Sequence, residues 1–259
     1  MNFISLQEMG EKFLSTDIAG EVISSIIVIL IEMILFVIIG IMAHFHDPLK
    51  KPKGLLLLGE YGVEFFDGLT ESLMGPRFRG FGGFAMAISI YVFLAFIFGL
   101  TGLPSPMTYL AIPLSLGLTT FVLIHATSVK YTKWRYFKRY VDPLPFFLPI
   151  NLVSMWAPLL SLTLRLFGNA IAGWTIMTLV YGALEELSGM LFSFIQTNGN
   201  VEIAKIFLAP IPAGILHLYF DLFSGFIQTT VFISLTCLFV GQEAPEDEEY
   251  ELDMKKGGR

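Results

Sequence analysis

Apolar residues gather into five long runs along the chain, and the polar residues between them fall into short loops and the two ends. The first run, about 22–44, opens VISSIIVILIEMILF and carries Glu32 near its middle. The next two, about 82–103 and 108–129, flank GLTGLPSP, a Gly/Pro-rich turn too short for a domain, and predict a helical hairpin over 82–129. From Leu144 to about Phe194 the chain is almost continuously apolar; a turn at 195–200 follows, and 201–241 forms the last run. Each run reaches the roughly 20 residues a helix needs to cross a hydrocarbon core of about 30 Å. None alternates with the strand period of an outer-membrane barrel. The pattern predicts an all-α polytopic membrane protein with about five transmembrane helices in a single membrane domain, 1–259. A helix over Leu144 to about Phe194 would be far longer than one perpendicular crossing requires, so it is expected to tilt strongly, bend or break, and 144–241 as a whole is expected to form a pair of long helices. Pro145, Pro149 and Pro158 limit where the first of them can be straight.

Residues 45–81 read differently. Val63, Phe65, Phe66, Leu69 and Leu73 are mixed with acids, which predicts an amphipathic helix lying in the interface. Lys50, Lys51, Lys53, Arg77 and Arg79 flank it, and Lys130, Lys133, Arg135, Lys138 and Arg139 follow the hairpin. Basic loops stay on the cytoplasmic side, so an odd number of crossings places the N-terminal segment, 1–21, outside and the tail, 242–259, inside. The N-terminus carries acids rather than the positive segment of a cleavable signal, and the first helix is expected to remain in the mature protein.

Composition narrows the class further. With 54% hydrophobic and only 15% charged residues, the chain is too apolar for an ordinary soluble domain. Its formal charge of −6 is concentrated in the acidic tail QEAPEDEEYELD, so it is not a surface property of the membrane part. The basic and aromatic residues of VKYTKWRYFKRY fit a juxtamembrane anchor in membrane lipid, and no nucleic acid partner is expected. Cys237, the lone cysteine, excludes an internal disulfide. Phosphate-binding glycine loops, Cys/His metal-ligand spacings and a nucleophile elbow are all missing from the sequence, so no cofactor or metal is expected.

Within the fourth run, PLLSLTLRLFGNAIAGWTI at 158–176 encloses one charge, Arg165. A guanidinium does not shed its proton, and holding it at bilayer depth costs from roughly 3 to more than 10 kcal/mol. Ser161, Gly168, Asn169 and Ala172 share its helix face, at spacings of three, four and seven. That face is small and polar, whereas Leu164, Leu166, Phe167 and Ile171 turn away, so a second helix can approach closely.

A second polar stripe lies in the last run. His217, Asp221, Ser224, Gly225, Gln228 and Thr229 recur at helical spacings of three and four. A carboxylate, an imidazole, an amide and two hydroxyls in one line through lipid are costly unless water or a moving ion uses them. His217 and Asp221, four apart, either pair as interhelical glue or work on an ion path. Gln228 is suited to hold a guanidinium by hydrogen bonding without neutralising it. Glu32 is either an ion-pathway carboxylate or a residue buried against a neighbouring helix. Glu185 and Glu186 either line the outer mouth of a channel or end a helix at the interface.

SLTLRLFGNAIAG closely resembles the SLxLRLFGNxxAG signature of subunit a of the F-type ATP synthase, the membrane stator beside the rotating c-ring. FIQTTVF near the C-terminus supports the resemblance, with Gln228 matching a glutamine that lies near the arginine and Asp221 an ionisable residue two turns earlier. The resemblance implies two half-channels that load and unload protons on c-ring carboxylates and are separated by Arg165, with Asp221 as proton relay and Gln228 positioning Arg165. Ser161, Asn169 and His217 are the supporting candidates. It also implies a subunit that binds no nucleotide, with the c-ring proteolipid, subunit b of the peripheral stalk and the other synthase subunits as partners, in a bacterial cytoplasmic membrane. The family's usual second ionisable residue follows the AG of the signature, and here that position is Trp174, which cannot relay a proton. The rival reading is a proton-coupled secondary transporter or channel that uses Arg165 to bind an anionic substrate; no internal repeat or matched pair of broken helices favours it.

Overall fold

The computed structural model of the chain describes residues 20–47, 49–133, 146, 148–191 and 210–244. The expected external N-terminal segment, the basic residues Arg135, Lys138 and Arg139, the turn at 195–200, the first residues of the last run and the acidic tail from 245 lie outside these. Among the described residues the regular elements are all helical.

Helix α1 (Gly20–Phe45) and helix α2 (Leu55–Met74) are followed by a short turn of helix at Pro76–Phe81. The hairpin is α3 (Gly82–Ile97), two tight helical turns, and α4 (Ala111–Thr132). Helix α5 (Leu148–Leu191) comes next, then α6 (Pro210–His217), a wider π-helical turn (Leu218–Phe223) and α7 (Ser224–Gly241). Among the described residues five helices are long and apolar enough to cross a membrane, counting the last from Gly214 to Gly241. These match the five apolar runs. Helix α5 has 44 residues and runs unbroken through Pro158, so of the expected tilt, bend or break it is the break that does not occur. At about 66 Å it is roughly twice a perpendicular crossing, and within a bilayer it has to run obliquely.

Small residues set how closely these helices pack. Gly117 on α4 lies against Leu159 and the Thr163 hydroxyl of α5, and Thr120 on α4 hydrogen-bonds Thr236 on α7 at 3.2 Å. One buried cluster joins Val28 of α1, Val92 and Phe96 of α3, Leu162 and Leu166 of α5 and Phe232 of α7. A second joins Met74 of α2, Ala85, Ile124, Ile233, Cys237 and Val240. The arginine helix is therefore fixed against the hairpin on one side and the last helix on the other. Lipid replaces water outside, so the large apolar residues on the outer faces of α1 and α5 cost nothing by exposure.

Gly225 carries the closest approach between α3 and α7, since a Cβ there would lie 2.7 Å from Cβ of Phe96. Gly225→Ala should force the two helices apart and lower stability by about 1–3 kcal/mol, as overpacking does. Thermal unfolding of the detergent-solubilised protein checks it, and an unchanged midpoint would show that α3 yields freely.

Candidate functional site

Arg165 lies half-buried on α5. Ion pairs join His217 to Asp221 and Lys50 to Asp47, and among the described residues none involves Arg165. A guanidinium inside an apolar helix without a carboxylate beside it keeps its full charge available to something outside the chain. The small face expected around it is uncovered: Ser161 and Ala172 are exposed, and a Cβ added at Gly168 would meet nothing within 4 Å.

One turn beyond Arg165, Asn169 reaches across to the last helix. Its Nδ2 donates to Oε1 of Gln228 at 2.5 Å. Gln228 is 3% exposed, and its Nε2 is buried with no partner. The bond found for Gln228 is thus to Asn169 rather than to Arg165. The geometry explains why: Asn169 sits four residues further along the same face, nearer the register of Gln228. The second lone pair of Gln228 Oε1 remains for a guanidinium that swings toward it.

Two turns earlier on the last helix, Asp221 and His217 form the pair that their spacing suggested, with Nδ1 of His217 2.6 Å from Oδ2 of Asp221. Their side chains are about four-fifths and two-thirds buried, retaining 21% and 31% exposure. Asp221 lies in the π-helical turn, where one extra residue per turn rotates it relative to a regular helix. Gly99, in the tight turn after α3, packs beside it: a Cβ there would stand 3.5 Å from the carboxyl group, an ordinary contact. On the far side Tyr181 of α5 places its hydroxyl 2.8 Å from Nε2 of His217.

Of these groups, Asn169, His217 and Asp221 border a cavity of about 370 Å³ whose walls also include Trp174, Gly99 and Ser105. The cavity joins the Asn169–Gln228 clamp to the His217–Asp221 pair, so the two polar stripes meet at one void. Trp174 stands at its edge, 61% exposed. Glu185 and Glu186 are exposed near the end of α5, and Glu185 lies one turn beyond Tyr181. Ser161 has no hydrogen bond among the described residues and stays on the open face. Sequence reasoning missed Tyr181, whose only signal was its position seven residues after Trp174 on the same face. It also passed over Ser105 in the hairpin turn, whose hydroxyl donates to the carbonyl of Ala95 at 2.8 Å.

Glu32 is not brought to this site. It is 9% exposed, its Oε1 has no partner, and it borders a separate recess of about 380 Å³ with Ser25, Tyr91 and Ser115. Ser25 and Tyr91 satisfy each other at 2.7 Å. Because Glu32 lines no part of the cavity beside Asp221, Glu32→Gln should leave ion pumping intact. Pumping measured in vesicles checks this, and a large loss would add Glu32 to the ion path.

A cavity walled by Asn169, Trp174, His217 and Asp221, one turn from Arg165, lies in a chain whose described residues include five helices long and apolar enough to cross a membrane, and together these fit a membrane subunit that handles ions. The family model described as ATP synthase A chain matches residues 22–241. The chain belongs to that family. It is 29% identical over 240 residues to ATP synthase subunit a of Mycoplasma genitalium, covering 87% of this chain and 78% of that one. It is 30% identical over 232 residues to the same subunit of Mycoplasma pneumoniae, covering 83% and 76%. It is also 37% identical over 133 residues to a subunit described as sodium ion specific from Propionigenium modestum, covering 51% of this chain and 37% of that one. The chain is a multi-pass membrane subunit of an ATP synthase, with a role in ion transport and ATP synthesis.

Proposed function

We propose that this chain provides two offset half-channels which load and unload protons on carboxylates carried by a rotor, with Arg165 dividing them. The observation that carries the reading is the uncompensated guanidinium of Arg165 beside an uncovered face of small residues, with a polar cavity starting one turn away. A rotor carboxylate reaching Arg165 has to release its proton, because an adjacent positive charge favours the ionised form. Facing lipid again, it has to be neutral, because a bare carboxylate there is prohibitively costly. Protonation from one half-channel and release into the other then set a direction.

Within this scheme Asp221 passes protons between the cavity and the rotor site, His217 supports it, and the Asn169–Gln228 bond holds the two helices in register around Arg165. Glu185 and Glu186 border the outer mouth, the N-terminus lies outside and the tail lies in the cytoplasm of a bacterial cell. The partners are the c-ring proteolipid, subunit b of the peripheral stalk and the nucleotide-binding subunits, which carry out the phosphate chemistry. Purification through a tag on this chain tests the assembly. A small two-helix proteolipid and soluble nucleotide-binding subunits should copurify, whereas a chain isolated alone or with itself would favour a transporter.

A further inference from the structure

We infer that Tyr181 is the outer terminus of the relay, handing protons through His217 to Asp221 and so supplying from α5 the polar group that Trp174 does not. The inference rests on the half-channel reading above. Three side chains from two helices form one unbroken line: Tyr181 Oη to His217 Nε2 at 2.8 Å, then His217 Nδ1 to Asp221 Oδ2 at 2.6 Å. The line ends at the cavity of about 370 Å³ that leads to Asn169.

The hydrogen-bond directions follow from the chemistry of the groups. An ionised Asp221 only accepts, so Nδ1 of His217 carries the proton that faces it. Nε2 is then the acceptor, and Tyr181 donates to it. An arriving proton is taken by the Tyr181 oxygen from water while the tyrosine passes its own to Nε2. The resulting imidazolium gives its Nδ1 proton to Asp221. One proton enters at the tyrosine and one appears on the carboxyl group, with Tyr181 and His217 both neutral. His217 then holds its proton on Nε2, and reorientation of the ring resets the line.

Position supports the direction. Tyr181 lies 16 residues beyond Arg165 on α5, about 24 Å along the helix, and ten residues before its last residue, Leu191. Glu185, one turn further, is exposed there. Trp174 borders the same cavity but offers only an indole N–H, a donor that cannot take a proton up.

Tyr181→Phe removes only the hydroxyl and keeps the ring, so the assembled complex should persist. ATP-driven proton uptake in vesicles should fall by about tenfold or more, in the range of a lost proton-transfer group. Trp174→Glu, placed in the same cavity, should restore uptake in the Tyr181→Phe background; if Trp174→Glu alone does not assemble, Trp174→His takes its place. A tyrosine that merely packs would not be rescued in this way. Uptake unchanged in Tyr181→Phe, or a loss that neither Trp174 variant rescues, overturns the inference. Asp221→Asn, measured alongside, separates the two levels: if it too pumps normally, the half-channel reading itself fails, whereas loss there with normal pumping in Tyr181→Phe removes the tyrosine alone.

Discussion

Arg165→Ala should abolish coupled proton transport while the complex still assembles. The side chain makes no ion pair among the described residues and lies half-buried on an open face, so its removal leaves no buried carboxylate without a partner. Truncating it even relieves the desolvation of a charge held inside an apolar helix. What disappears is the only fixed positive charge on the arginine face of α5. A rotor carboxylate passing that point would no longer be driven to ionise, and a proton could be carried past it without being exchanged. Arg165→Lys tests whether charge alone suffices. Lysine shifts its proton affinity when desolvated and offers no planar fork, so the variant should assemble with little activity. ATP-driven acidification of vesicles measures both, and near-normal pumping in either variant would remove Arg165 from the centre of the mechanism.

Asp221→Asn should collapse pumping almost as far. The amide keeps the size of the carboxyl group and can still hydrogen-bond Nδ1 of His217, so the packing against Gly99 and the π-helical turn should survive. It cannot bind and release a proton. General acid–base groups commonly contribute about a hundredfold or more, and the expected loss is of that order. The membrane potential supplies about 2.3 kcal/mol per charge per 100 mV, a drive that cannot substitute for a missing carrier. If pumping persists, Asp221 is structural and the half-channel reading fails with it.

Much of this was legible in the sequence because lipid makes polar residues conspicuous. Arg165 stood out within 158–176 without any structural knowledge, and His217 and Asp221 declared their pairing by a spacing of four. The five crossings followed from run length, and α2 from acids mixed with Phe65, Phe66 and Leu69. What could not be read was register between helices. Tyr181 meets His217 only because α5 and α6 pass each other at a particular offset, which no spacing within either helix encodes. The same offset gives Gln228 to Asn169, where residue types alone had pointed to Arg165. The π-helical turn at Leu218–Phe223 was equally hidden, since it changes the pitch of an apolar segment without a glycine or proline to mark it.

The most direct test of the account is ATP synthesis by reconstituted vesicles carrying Arg165→Ala, driven by an imposed pH gradient and membrane potential. The parent complex should synthesise ATP, and the variant, equally assembled, should synthesise none. ATP synthesis by the variant at the parent rate would contradict the claim that Arg165 divides the two half-channels.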